Sequence, residues 1–140
     1  MIKFTTEEEK FLQSIEESRI ATSHDNIPHV KPVSFIYHNN AIFIATDYET
    51  RTFKNVINNQ NIAIVIDVYD TGKHKAVCIQ GKVEILESGK EFLEIYKMFE
   101  KKFTWVRNDP WKENEAPFLK IIAINKTSWG LKQQIHQNRN

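Results

Sequence analysis

Apolar and polar residues alternate over several short stretches of the chain, and this two-residue period predicts β-strands. The clearest stretch spans residues 75–86. The residues expected on its buried face are Val77, Ile79, Val83 and Ile85. Gly81 interrupts the pattern, and the missing side chain predicts a close approach of backbone or ligand. Further strands are predicted at Arg19–Ser23, His29–His38, Ala41–Thr46, Asn61–Tyr69 and 117–124.

Three other stretches have the helical repeat. Residues 6–18 open with Thr6-Glu7-Glu8-Glu9, which has the spacing of a capping box, and apolar residues follow at helical intervals. A second helix is expected from about Thr50 to Asn58. A third opens with another capping box at Ser88-Gly89-Lys90-Glu91 and carries a broad apolar stripe.

The order of these elements predicts a mainly β fold, a small and mostly antiparallel β-barrel with helical lids. Asn39-Asn40 separates two strands and suits a tight hairpin. The strand at 61–69 is apolar on both faces, so we expect it to be central or covered, for example by a second protomer. Pro32 marks either an ordinary edge strand or a strand that faces a ligand. For residues 104–116 we predict a long loop, which either lies over the mouth of a pocket or is anchored to the surface by its tryptophans.

Length and composition limit the classes of function. The 140 residues fit one domain, 1–140, with a polar tail from about residue 131. With 19 basic and 18 acidic side chains the net charge is +1, so we expect neither a nucleic-acid nor a membrane partner. Cys78 is alone, which excludes an internal disulfide, and the five histidines lack metal-ligand spacing. The N-terminus resembles no targeting signal, and we expect a cytoplasmic location.

The candidate chemistry lies at the start of the second helix. A helix start presents unpaired backbone N–H groups and a partial positive charge. Arg51, Thr52 and Lys54 add cations and a hydroxyl there, which favours a cradle for the phosphate of a cofactor. The alternative is that these basic residues form a solvated helix face. The absence of any recognisable catalytic triad or metal motif fits a cofactor that carries the chemistry itself, so we name no catalytic side chain.

The segments in this order resemble the pyridoxamine 5′-phosphate oxidase-related split-barrel flavoproteins. The residues that carry the resemblance are Arg19-Ile20-Ala21-Thr22, Pro28 to Phe35, Thr50-Arg51-Thr52 with Asn55, Ile62-Ala63-Ile64-Val65, and Gln80-Gly81-Lys82-Val83. The resemblance implies a six-stranded antiparallel split barrel that binds FMN, or a related deazaflavin, at a homodimer interface.

The resemblance also implies roles for particular residues. Those expected along the isoalloxazine are Val30, Lys31, Pro32, Val33 and Ser34. Thr46, Arg51 and Thr52 are expected to hold the phosphate, with Lys54 nearby. Trp129 matches a tryptophan that lies close to the flavin in family members. Its alternative role is as a core or dimer-interface aromatic.

Three departures from the family pattern limit what the resemblance implies. Thr52 stands where many relatives carry lysine, and Ala76 stands where the oxidases place a flavin-contacting glutamine. The segment 129–136 lacks the arginines with which the oxidases grip pyridoxal phosphate. A genuine pyridoxamine 5′-phosphate oxidase is therefore not expected.

The resulting hypothesis is an FMN-dependent oxidoreductase that acts on a small molecule with an electron donor. One alternative is a deazaflavin-dependent reductase, whose longer anionic tail would need further basic groups. The candidates for these are Lys31, Lys73, Lys75 and Lys120. The other alternative is a module that binds flavin or haem without catalysis.

Overall fold

The computed structural model describes residues 2–131, so the predicted polar tail lies outside the described residues except for Leu131. The elements in chain order are α1 (Thr6–Ser14), β1 (Glu17–His24), β2 (Ile27–His38), β3 (Ala41–Ala45), α2 (Arg51–Asn58), β4 (Asn61–Asp70), β5 (Lys73–Leu86), α3 (Gly89–Lys102), α4 (Thr104–Asn108) and β6 (Phe118–Trp129). The strands form one antiparallel barrel in the order β1-β2-β3-β6-β5-β4, closed where β4 pairs with β1. The predicted mainly β, six-stranded antiparallel barrel is confirmed.

Short turns of asparagine and aspartate join the first strands. Asn39 and Asn40 both have positive φ, at 49° and 63°, and Asp25 and Asn26 repeat this pattern between β1 and β2. Two consecutive left-handed residues give a turn whose twist matches that of the flanking strands. The predicted hairpin at Asn39-Asn40 is confirmed.

The core has two parts. One fills the barrel, and among its fully buried side chains are Leu12, Ile20, Phe35, Ile44 and Ile66. The other lies outside the barrel, where α3 places its apolar stripe against β3 and β6. Its central residues are Phe43, Phe92, Ile95, Phe99 and Phe118. The helix α3 therefore covers one side of the barrel, and no helix within residues 2–131 covers the outer face formed by β1, β4 and β5, which we call the helix-free face.

Strand β5 largely follows the predicted alternation. Val77, Ile79 and Val83 are buried, but Ile85 is 38% exposed, because it lies one residue before the end of β5 and beyond the part that covers the core. A Cβ on Gly81 would lie 2.5 Å from the backbone oxygen of Ile122, and the strand pairing shifts register between Gln80 and Gly81. The predicted close approach of backbone at Gly81 is confirmed.

The start of the first helix differs from the prediction by one residue. The capping box is formed by Thr5 and Glu8: the Thr5 amide donates to Glu8 Oε1 over 2.9 Å, and the Glu8 amide donates to Thr5 Oγ1 over 3.1 Å. The predicted Thr6–Glu9 pair is wrong, because Glu9 accepts a hydrogen bond from Tyr37 Oη instead. The helix also ends at Ser14, earlier than expected, since β1 begins at Glu17.

Two further predictions on the helices need correction. Ser88 precedes α3 without a side-chain cap bond, so the second capping box is wrong; the Gly89 amide donates instead to Glu113, and Glu91 pairs with Lys120. The predicted loop at 104–116 contains the short helix α4, and β6 runs on to Trp129. Within residues 2–131, no helix is long and apolar enough to cross a membrane.

Candidate functional site

Two threonines fix the start of α2. Thr50 is its N-cap, and the Thr50 hydroxyl oxygen accepts the Phe53 amide over 3.1 Å. The hydroxyls of Thr46 and Thr50 lie 2.7 Å apart, and the Thr46 amide donates to the Pro117 carbonyl of the segment before β6. The barrel wall therefore holds the helix start through Thr46. The sequence prediction omitted Thr50 from the site, although its N-cap position was visible in the chain.

The start of α2 has the features of an anion site. The backbone N–H groups of Arg51 and Thr52 have no hydrogen-bond partner in the described part of the chain. The Arg51 and Lys54 side chains are exposed, and neither forms an ion pair with any residue of 2–131. Unpaired amides, the positive end of the helix dipole and two uncommitted cations all favour a bound anion such as a phosphate.

Thr52 contributes less than its sequence position suggests. Its side chain is 0% exposed, and its Oγ1 is buried with no partner among residues 2–131. A surface ligand therefore reaches the Thr52 amide but not its hydroxyl without rearrangement. This leaves the exposed Arg51 and Lys54 as the charged groups of the cradle, which we define as Thr46, Thr50, Arg51, Lys54 and the Thr52 amide.

Strand β1 connects the cradle to the predicted ring-binding strand. Asn55 Nδ2 of α2 donates to Thr22 Oγ1 over 3.0 Å, and Asn59 Nδ2 donates to Ser23 Oγ over 3.1 Å. On its other side β1 pairs with β2, with Arg19 opposite Pro32 and Ala21 opposite Val30. One strand thus positions both parts of the candidate site.

The barrel opens along β2. Residues 27–34 pair with β1, whereas pairing with β3 is confined to 35–38 and ends at the partner Ile44. Residues 27–34 therefore have one strand neighbour within the described chain, which explains how Pro32 is accommodated. If the pairing continued, Val33 would face Thr46, so the open edge lies beside the cradle.

The five residues of this edge differ in accessibility. Val30 is 64% exposed and Pro32 is exposed, while Lys31 and Ser34 are half-buried. The Val33 side chain packs in the barrel core, and the Val33 carbonyl accepts a hydrogen bond from Ser18 Oγ. Any ligand contact from Val33 would therefore involve its backbone.

Trp129 lies at the opposite end of β6 from the cradle. β6 has 12 residues, and Thr46 bonds to Pro117 immediately before its first residue. At about 3.3 Å per residue, roughly 35 Å of extended strand separate the two positions. Trp129 is instead half-exposed and packs edge-on against His74, whose Nε2 lies 2.9 Å from Asp67 Oδ2. One chain therefore does not bring Trp129 to the cradle.

The helix-free face of the barrel carries a shallow cavity of about 460 Å³. Small outward-facing side chains line it, among them Ala21, Ala63, Val65, Cys78 and Thr127, and Val30 lies at its edge. Burial and the Asp67 charge raise the pKa of Cys78, which lowers its thiolate fraction at neutral pH. This face explains why β4 is apolar on both sides: Ile62, Ile64 and Ile66 point inward, while Ala63 and Val65 stay half-exposed.

The lysines considered for a longer cofactor tail are dispersed. Lys120 Nζ lies 2.7 Å from Glu91 Oε2 and is neutralised by it. Lys73 and Lys75 begin β5, where Lys75 pairs with Val68 and lies near Trp129 rather than near Arg51. These side chains do not extend the cradle.

A barrel split along β2, with an anion cradle beside the open edge, defines a split-barrel protein suited to a phosphorylated ligand. The chain belongs to the pyridoxamine 5′-phosphate oxidase family, whose model matches residues 4–129. No curated protein matches the sequence.

Solved structures share the fold at low sequence identity. A pyridoxamine 5′-phosphate oxidase-like protein from Listeria innocua is 14% identical, with a TM-score of 0.71 over 86% of this chain and 94% of the other. An FAD-binding protein from Mycobacterium smegmatis is 18% identical, with a TM-score of 0.66 over 92% and 97%. The heme storage protein HutZ from Vibrio cholerae is 13% identical, with a TM-score of 0.75 over 92% and 95%.

Proposed function

We propose that the protein is an FMN-dependent oxidoreductase that acts on a small molecule and binds its cofactor between two copies of the chain. The observation that carries the proposal is the cradle, where Arg51 and Lys54 stand uncommitted beside the unpaired amides of α2. Such a group of donors suits a dianionic phosphate. The family relationship and the fold shared with an FAD-binding protein favour a flavin as the cofactor that carries this phosphate.

The open edge of β2 suits the ring of the same cofactor. Among residues 2–131, its backbone groups at 30–34 have β1 as their one strand neighbour, and the exposed Val30 offers an apolar surface. FMN, when bound, supplies hydride transfer, while the protein orients it and excludes water. The role of this chain is therefore to hold the phosphate at Arg51 and to present backbone donors and acceptors to the ring.

A second copy would complete the site. The helix-free face around Ala63 and Val65 exposes small apolar side chains, and a twofold dimer would bury this patch against the same patch of the second copy. Because Trp129 is distant from the cradle of its own chain, its expected contact with the flavin requires Trp129 of the partner subunit. A deazaflavin is the alternative cofactor. Lys120 is neutralised by Glu91, but Lys31 lies on the open edge of β2, and Lys75 lies beside Trp129, which the dimer would bring to the same site.

A titration with FMN tests the proposal. The variant Arg51→Ala should weaken FMN binding by roughly 1.5–3 kcal/mol, or about 10- to 150-fold, because it loses a charge-assisted hydrogen bond to the phosphate. Riboflavin, which lacks the phosphate, should bind the variant and the wild type equally. The exposed Lys97→Ala on α3 serves as the matched control.

Three results would contradict the proposal. Equal FMN affinity of the wild type and Arg51→Ala would exclude the cradle as the phosphate site, and failure of the wild type to bind FMN would exclude the cofactor. Sedimentation of the FMN-bound protein as a single chain would contradict the shared site. Turnover of reduced nicotinamide with an acceptor separates an oxidoreductase from a module that only binds flavin.

A further inference from the structure

A second cavity, of about 310 Å³, is lined on one side by Thr46, which also belongs to the cradle. The end of β3, the helix α4 and the segment that leads into β6 form its walls. Two tryptophans and three carboxylates dominate these walls: Trp105, Trp111, Asp47, Asp109 and Glu115. Its volume falls at the lower end of the range of about 300–1,000 Å³ that small-molecule sites occupy.

The two tryptophans stack on each other and together form the aromatic wall of the cavity. The planes of Trp105 and Trp111 are within 8° of parallel, with ring centroids 6.0 Å apart. Trp111 is fixed from behind, because its amide donates to Tyr96 Oη over 3.1 Å and its ring packs on those of Tyr96 and Phe118. Trp105 packs on Phe103 as well as on Trp111 and is still 43% exposed, so part of its ring is held open to solvent at a fixed orientation.

The charges around this wall all have one sign. No side chain lining the cavity is basic, and within residues 2–131 neither Asp47 nor Asp109 forms an ion pair. Glu115 is oriented by the Lys112 amide, which donates to its Oε1 over 2.7 Å. The nearby Arg107 is turned away, since its guanidinium donates to the Glu100 carbonyl and to Thr104 Oγ1.

We propose that this cavity binds a small organic cation, of the substituted-ammonium class. A cation over an aromatic face is attracted by the ring quadrupole, and tryptophan provides the strongest such face. The carboxylates add attraction for the same charge and would repel a phosphate or a nucleotide. The lining is thus opposite in charge to the cradle, with which it shares Thr46, and the proposal rests on the tryptophans and carboxylates of the cavity alone.

Choline and its uncharged isostere 3,3-dimethylbutan-1-ol provide a direct test by isothermal titration calorimetry of the full chain. The two probes have nearly the same shape, so only the charge distinguishes them. Choline should bind once per chain, at least roughly tenfold tighter than the neutral alcohol. Equal affinities of the two probes, or no heat of binding from choline, would overturn the proposal.

Variants then locate the site. Trp105→Leu should weaken choline binding roughly tenfold, because the exposed face of the wall is lost. Asp109→Asn should weaken it several-fold at low salt and less at high salt. Tyr69→Leu and Asp70→Asn, which remove an exposed aromatic and an exposed carboxylate elsewhere, are the matched controls and should leave affinity unchanged.

The two kinds of variant make the test independent of packing. Asp109→Asn preserves the shape of an exposed side chain, so its effect on choline affinity tests the site even if Trp105→Leu perturbs α4. Unchanged choline affinity in both variants would overturn the proposal, as would tighter binding of adenosine monophosphate than of choline.

Discussion

The single carboxylate of Glu8 attaches α1 to the far end of β6. Glu8 is 3% exposed, its Oε1 accepts Lys126 Nζ over 2.6 Å, and its Oε2 accepts Ser128 Oγ over 2.6 Å. The same side chain closes the capping box with Thr5. One substitution at this position therefore removes a helix cap and a contact between residues that are 118 and 120 positions apart in sequence.

We expect Glu8→Ala to lower the free energy of unfolding by roughly 3–5 kcal/mol, the cost of removing one partner from a buried ion pair. Glu8→Gln keeps one acceptor oxygen, which the Thr5 amide can use, and places an NH₂ donor opposite Ser128 Oγ, which can then accept. The variant loses the attraction to Lys126, so about 1.5 kcal/mol is expected. These are large fractions of the roughly 5–15 kcal/mol by which a domain is stable. Glu7→Ala, at the neighbouring exposed position, should cost under about 1 kcal/mol.

Urea denaturation followed by circular dichroism measures these differences. Values for Glu8→Ala and Glu7→Ala within about 0.5 kcal/mol of each other would refute the reasoning, since the buried contacts would then contribute nothing.

The pH dependence provides a second check on Glu8. Burial alone raises the pKa of its carboxyl, but hydrogen bonds from Lys126, Ser128 and the Thr5 amide, with the Lys126 charge, outweigh burial and hold the pKa below its usual range. A lowered folded pKa contributes stability that is fully present above the unfolded value of about 4.3. The advantage of the wild type over Glu8→Gln should be constant at neutral pH and disappear as the pH falls below that value.

Two further variants test the barrel. Gly81→Ala should lower the free energy of unfolding, measured by urea denaturation, by about 3 kcal/mol, because the new Cβ would lie 2.5 Å from the Ile122 oxygen and the two strands would have to separate. A loss below about 1 kcal/mol would contradict this close approach. Asn40→Ala should cost about 2–3 kcal/mol, since Asn40 combines positive φ with hydrogen bonds to the backbone of residues 2–4. Asn39→Ala, at positive φ without such bonds, should lose about 1 kcal/mol, and equal losses would rule out a role for the Asn40 side chain.

The sequence predicted those features that depend on local patterns. Alternation identified the inner face of β5, and Asn39-Asn40 identified a hairpin, because strand period and turn geometry are set by neighbouring residues. It could not decide between two overlapping capping boxes, since Thr5 with Glu8 and Thr6 with Glu9 have the same spacing. The choice depends on contacts of Glu8 with β6, which no local pattern contains.

Local sequence patterns did not predict the acidic aromatic cavity either. Trp105 and Trp111 are six residues apart without a period, and α4 has five residues, too few for a helical repeat to be recognised. Their parallel rings depend on Tyr96 and Phe118, which come from α3 and β6. The sequence therefore predicted a loop, either over a pocket mouth or anchored by its tryptophans, but not the charge or the chemistry of the cavity beside it.

The position of Trp129 bears on how the proposed FMN site is assembled. β6 begins beside Thr46 of the cradle and ends at Trp129, so its length keeps the two apart within one barrel. If both contribute to one flavin, each site must combine the cradle of one chain with Trp129 of the partner subunit. A twofold dimer then contains two equivalent sites, and dissociation would remove the tryptophan from both while leaving each phosphate cradle intact. FMN affinity should therefore fall on dilution while its dependence on Arg51 persists.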